Sequence, residues 1–146
     1  MRPTLALRDL TPATVDSHAD ALVGLGRDIP GEYWTVDHLL MDLPDKWRLS
    51  FVGWRADRPV AYAVLSRKGP DTVHLHHLMV GKDERGMGVG TAMMAEMVRR
   101  ARQGGADWLT LKVATENDRA CSFYLRHEFE EIGRSGGYRT LRRGCL

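Results

Sequence analysis

The chain has 146 residues, of which 43% are hydrophobic and 27% charged, the ordinary range of one soluble domain. A chain of this length buries roughly 70% of its unfolded surface, so it needs neither disulfides nor a structural metal. Its 21 basic and 19 acidic side chains leave a net charge of +2, too small to argue for nucleic acid, and its longest apolar stretch, Val60 to Leu65, falls far short of the ~20 residues of a membrane span. Cys121 and Cys145 make neither a secreted disulfide framework nor a zinc pattern, and the first thirty residues hold no apolar leader. The expectation is one reduced, cytoplasmic domain over residues 1–146.

Thr4 to Arg8 alternates as a first strand, and Thr11 with Pro12 opens a helix over Ala13 to about Gly24. Gly26 to Leu43 reads as a loop followed by a short helix from Thr35. Leu49 to Arg55 and Pro59 to Ser66 flank the turn Ala56-Asp57-Arg58, and Lys68-Gly69-Pro70-Asp71 turns into Thr72 to Val80, so three antiparallel strands follow one another. Gly90, Met93, Met94, Met97, Val98 and Ala101 then recur at helical spacing until Gly104. Trp108 to Val113 is a strand expected to run parallel to Thr72–Val80. Asn117 or Asp118 caps a last helix carrying Ala120, Phe123, Tyr124 and His127 on one face, and Glu130 to Arg134 and Tyr138 to Arg142 finish as short strands.

The loop Arg85-Gly86-Met87-Gly88-Val89-Gly90 leads from a strand into the strongest helix, where unpaired amides and the helix dipole hold an anion. Glycines let phosphate oxygens approach the backbone, and Arg85 could add a charge-assisted contact. A nucleotide-triphosphate loop would need Lys then Ser or Thr after its last glycine, whereas Thr91-Ala92 follows Gly90. A dinucleotide loop needs G-x-G-x-x-G, and Gly86, Gly88 and Gly90 sit at alternate positions instead. A merely flexible turn would explain one or two glycines, not three behind a basic residue.

Arg85, Gly88 and Gly90 match the pattern Arg/Gln-x-x-Gly-x-Gly/Ala, and about thirty residues on Asn117 opens a helix with Tyr124 seven residues later. In both signatures the chain resembles the GNAT superfamily of N-acetyltransferases, over Thr4 to about Arg143. The resemblance implies an α/β (α+β) fold, a twisted mixed sheet of about six or seven strands with helices on both faces, and acetyl-CoA as cosubstrate. It implies that acetyl-CoA lies between the strands Thr72–Val80 and Trp108–Val113, held by Leu78, Met79, Val80, Arg85, Gly86, Met87, Gly88, Val89, Gly90, Thr91, Asn117 and Tyr124. The Leu78 amide would stabilise the oxyanion of a tetrahedral intermediate. One departure is Glu128 before Phe129, where the family usually has Gly.

Tyr124 suits the acid that protonates the departing thiolate, although without the resemblance it reads as a packing aromatic. For the base, His74 and His76 share a strand face if pairing is regular, and His77 points the other way. This H-x-H before L-x-V is similar to the paired histidines of the arylalkylamine N-acetyltransferases; ordinary polar residues on a half-solvated sheet face are the equal alternative. Cys121 on its helix lacks a group to activate it, so direct attack by the amine is expected. Tyr33, Trp34 and His76 are the candidate acceptor-binding residues, with Asp28, Glu32 or Asp37 able to attract a cationic amine. The expected partner is a small-molecule primary amine, with no nucleic acid, no membrane and no metal, and a homodimer is compatible with it. Protein N-terminal or lysine acetylation, or a non-catalytic CoA-binding module, are the alternatives.

Overall fold

The structure is a computed structural model and describes residues 2–146. The elements in chain order are β1 (Leu5–Asp9), α1 (Pro12–Gly24), α2 (Val36–Leu40), α3 (Lys46–Leu49), β2 (Phe51–Arg55), β3 (Arg58–Arg67), β4 (Thr72–Val80), α4 (Val89–Gln103), β5 (Trp108–Ala114), α5 (Asp118–Arg126), β6 (Glu130–Ser135) and β7 (Tyr138–Gly144). The seven strands form one mixed sheet in the order β1-β2-β3-β4-β5-β7-β6, in which β4 and β5 alone run parallel. That single parallel pair is the product of the β4-α4-β5 crossover, since a parallel neighbour requires a long return connection.

Side-chain alternation sends the sheet into two cores. Ala61, Ala63, Leu65, Val73, Leu75, Leu109, Leu111, Val113 and Leu141 pack with Met93, Met94, Met97 and Ala101 of α4 and with Cys121 and Tyr124 of α5. On the other face Val52, Trp54, Tyr62, Val64 and Met79 pack with Val15, Leu22 and Val23 of α1 and Leu39 of α2. Helices therefore lie on both faces, but this second core stops at β4. On β5 and β7, Trp108, Thr110, Lys112, Tyr138, Thr140 and Arg142 stay partly or fully exposed on that side.

Helix ends follow local chemistry. The Thr11 hydroxyl accepts from the Thr14 amide with Pro12 in the first turn, and Thr35 and His38 cap α2 reciprocally. α2 ends at Leu40, short of the expected Leu43, because the buried Lys46 ammonium donates to the carbonyls of Leu39 at 2.6 Å and Met41 at 2.5 Å. The same lysine opens α3, a single turn that the sequence reading assigned partly to a strand. Burial pulls its pKa down to about 8. Glu128, at the departure from the family pattern, has φ 72°, a left-handed conformation in which glycine is free of strain, and Arg143 lies 3.3 Å from its carboxylate.

Candidate active site

β4 and β5 are paired at four positions, Thr72/Trp108 to Leu75/Leu111, yet they run on to Val80 and Ala114, so the sheet is split beyond Leu75. The Gly81 amide donates to the Val60 carbonyl at 2.8 Å. Antiparallel alternation then engages Met79 with Tyr62 of β3 and turns the peptide groups of Leu78 and Val80 away from β3, into the split. Two expected cosubstrate contacts, Leu78 and Val80, thus face the gap. Met79 differs, because its backbone groups pair with Tyr62 of β3 and its side chain lies in the second core.

At the open end, Gly86 (φ 76°) and Gly88 (φ 83°) shape the loop, and a β-carbon on either would meet nothing within 4 Å. They serve backbone conformation and leave free space in front of the loop. Gly90 differs, since a β-carbon there would meet the Phe123 ring at 3.0 Å; it lets α4 and α5 close together. Gly88 provides no side-chain cap to α4, and the first capping bond from outside the helix is Ala92 N–H to the Gly88 carbonyl, so the amides of Val89, Gly90 and Thr91 lead the helix. Free amides, a helix N-terminus and an unpaired strand edge in one line fit an extended ligand with a phosphate end. Arg85 is committed elsewhere: it donates to the Val80 carbonyl at 3.0 Å and to both oxygens of Asp28, at 2.5 and 3.0 Å. Met87 stands half exposed in the same loop.

Asn117 accepts from the Ala120 amide at 3.1 Å, starting α5 just after β5, and Tyr124 packs against Phe123 and Phe129 in the first core. Burial, then the negative charge of Glu32, raises the Tyr124 pKa above its ordinary value, so its hydroxyl keeps its proton.

The three histidines of β4 part company at a β-bulge. Register shifts between Val64/Leu65 on β3, pairing Val64 with His77 and Leu65 with Leu75, so His76 is the extra residue. His77, expected on the opposite side, is consequently turned onto the same face as His74 and His76. His74 Nδ1 lies 2.8 Å from the Thr110 hydroxyl, His76 Nε2 lies 2.6 Å from the Ser66 hydroxyl, and the two rings meet edge to face at 4.9 Å. Burial lowers the pKa of both, His74 to about 4, so each is a weak base in this setting. His77 instead stacks on Trp34 at 4.7 Å and bonds Tyr62 and Glu32.

The loop between α1 and α2 brings Glu32 between His77 and Asn117, and the Asn117 amide lies 3.4 Å from its second oxygen. Trp34 lines this place, while Tyr33 is half exposed beside it. Of the three acids singled out, Asp28 is held by Arg85, Asp37 sits exposed in the first turn of α2, and Glu32 enters the site. The contact of Glu32 with His77 was hidden, because they meet across 45 residues and through a bulge that a period of two does not encode. Cys121 is buried with its sulfur on the Ala114 carbonyl, and the C-terminal arginines 134, 139, 142 and 143 are paired with Glu131, Glu130 and Glu128. Among the described residues no cluster of His, Cys, Asp and Glu could hold a metal, and no helix is long and apolar enough to cross a membrane.

The profile of the acetyltransferase (GNAT) family matches residues 19–129. An uncharacterised N-acetyltransferase of Methanocaldococcus jannaschii is 36% identical over 61 residues, 42% of this chain and 27% of that protein. The matches span about a quarter of the length of the curated relatives. The crystal structure of Ard1 from Thermoplasma volcanium is 25% identical with a TM-score of 0.82, covering 97% of this chain and 98% of that one. The fold is shared as well with the PaiA N-acetyltransferase of Thermoplasma acidophilum in complex with coenzyme A, at 13% identity and a TM-score of 0.78, covering 97% of this chain and 99% of that one. Matched from the second half of α1 through the glycine loop to the end of α5, on this fold, the chain belongs to the GNAT acetyltransferase family, acyltransferases that use acetyl-CoA as cosubstrate.

Proposed function

We propose that the protein transfers the acetyl group of acetyl-CoA to a primary amine, that of a small molecule, by direct attack. The observation that carries this reading is the split between β4 and β5, with the glycine loop leading from β4 into α4 and Tyr124 buried on α5, the helix that follows β5. The amides of Gly86 to Thr91 would receive the pyrophosphate, and the Leu78 and Val80 peptide groups the pantetheine arm. Acetyl-CoA supplies the acetyl group as a thioester. The Leu78 amide, aimed into the gap, stabilises negative charge on the carbonyl oxygen as the amine approaches. Tyr124 then gives its proton to the leaving sulfur and regains one from solvent. Starting from an ammonium acceptor, one C–N bond forms, one C–S bond breaks, and one proton is released to water. His74 and His76, weakly basic and bonded to the Thr110 and Ser66 hydroxyls, take no proton from the amine and stay as neutral groups of the sheet face. Trp34 and Glu32, crowded over His77, favour a small acceptor over a folded protein.

Release of CoA thiol in the presence of arylalkylamines, polyamines, amino acids, aminoglycosides and short peptides tests the proposal. Turnover of a small amine is expected, and Tyr124→Phe lowers kcat tenfold or more with acetyl-CoA affinity within twofold. Turnover confined to peptides overturns the acceptor class; an unchanged kcat in Tyr124→Phe removes that residue from the mechanism.

A further inference from the structure

Glu32 is the point where three otherwise separate elements touch. It comes from the α1–α2 loop, its Oε2 lies 3.2 Å from His77 Nε2 on β4, and its Oε1 lies 3.4 Å from Asn117 Nδ2 at the start of α5. It therefore bridges the mouth of the split between β4 and β5, one residue along β4 from the Leu78 amide. Its side chain is 30% exposed, which leaves it open to an incoming group while the imidazole beside it is almost wholly covered.

The proton positions follow from what surrounds the imidazole. Tyr62 is 1% exposed and its hydroxyl lies 2.9 Å from His77 Nδ1. Burial, with the nearby charge of Glu32, raises the Tyr62 pKa, so the phenol stays protonated and donates to Nδ1. His77 Nε2 is thereby left to donate its proton to Glu32. The Trp34 indole, parallel to the imidazole within 6°, fixes the plane of the ring. This bond is the chief reason the Glu32 pKa lies below its ordinary value, and the carboxylate is ionised at neutral pH.

Its carboxylate has no permanent counter-ion among the described residues. Asp28 is neutralised by Arg85, and Glu84 by Arg2 and Arg55, but no lysine or arginine among the described residues forms an ion pair with Glu32. A partly buried carboxylate, held in orientation by His77 and Asn117 and paired with no lysine or arginine among the described residues, is placed to receive the cation of a ligand.

We propose that Glu32, positioned by the Tyr62–His77 chain, binds the ammonium group of the acceptor, which restricts the substrate class to amines that are cationic before they react. The inference rests on the acetyltransferase reading. His77 and Tyr62 are positioning residues: both ring nitrogens of His77 are occupied, so it steers the carboxylate and takes no proton from the substrate.

The test compares Glu32→Gln with wild type, using the alkylamine that wild type turns over fastest and, as a competitive inhibitor, the alcohol of the same skeleton. Loss of the charge raises KM for the amine at least tenfold, while Ki of the alcohol and Kd of acetyl-CoA stay within twofold. Glu32→Asp, which keeps the charge, gives a KM clearly below that of Glu32→Gln. An unchanged amine KM, an alcohol Ki that rises in step with it, or equal KM values in the two variants overturns the inference. Absence of CoA release by wild type with every amine strikes at the acetyltransferase reading instead, so the two failures are distinguishable.

Discussion

Two hydrogen-bonded chains start from the same stretch of β4 and have opposite characters. His74 and His76 join Thr110 and Ser66, neutral hydroxyls that make no use of a charge. His77 joins Tyr62 and Glu32, ending in a carboxylate at the mouth of the split. The bulge at His76 sets the two apart, and the comparison teaches that histidines adjacent in sequence take their chemistry from their neighbours across the sheet.

The largest effect should come from erasing one side of this contrast. His77→Phe keeps a ring to stack on Trp34 but leaves the buried Tyr62 hydroxyl and one Glu32 oxygen without partners, which costs about 1–3 kcal/mol of stability and raises the acceptor KM severalfold. The same exchange at His76 is expected to leave KM within twofold; denaturant melts and steady-state kinetics on the two variants read both.

A second test uses pH. His74 titrates near 6.5 in the unfolded chain and at about 4 in the fold, so the unfolded state binds the extra proton between those values. Stability is full above pH 6.5 and falls as pH drops toward 4, by roughly 1–3 kcal/mol on the linkage scale. His74→Gln flattens that part of the stability curve and leaves the acidic limb of the pH-rate profile in place; a displaced limb would make His74 a base. The smallest change is at Ser66→Ala, which removes one hydrogen bond from His76, costs about 1 kcal/mol and alters no kinetic constant.

Much of this architecture was legible before any coordinates. The α4 methionines, the turn at Ala56-Asp57 and the Asn117 cap are local signals, and all fall where their spacing places them. α3 was not legible, because a four-residue helix is held by a lysine reaching back to carbonyls five and seven residues away. Nor was the role of Arg85: a motif arginine reads as a phosphate ligand until Asp28, 57 residues distant, is seen to hold it. Glu32 could be named as one acid of three but not chosen, since the choice depends on which of them the loop lays beside β4.

The four residue pairs that join β4 to β5 are the whole of the ladder between a meander of four strands and a lobe of three. Such a seam is narrow, and α4 and α5 span it on one side only. The sheet behaves as a zipper left open by design, and a ligand lying along the unpaired edges of β4 and β5 supplies the missing rungs. Amide hydrogens at Leu78, Val80 and Ala114 should then exchange with solvent much faster than those of β3, and slow when the cosubstrate binds, so that occupancy is felt in the cohesion of the two lobes as well as at the reacting atoms.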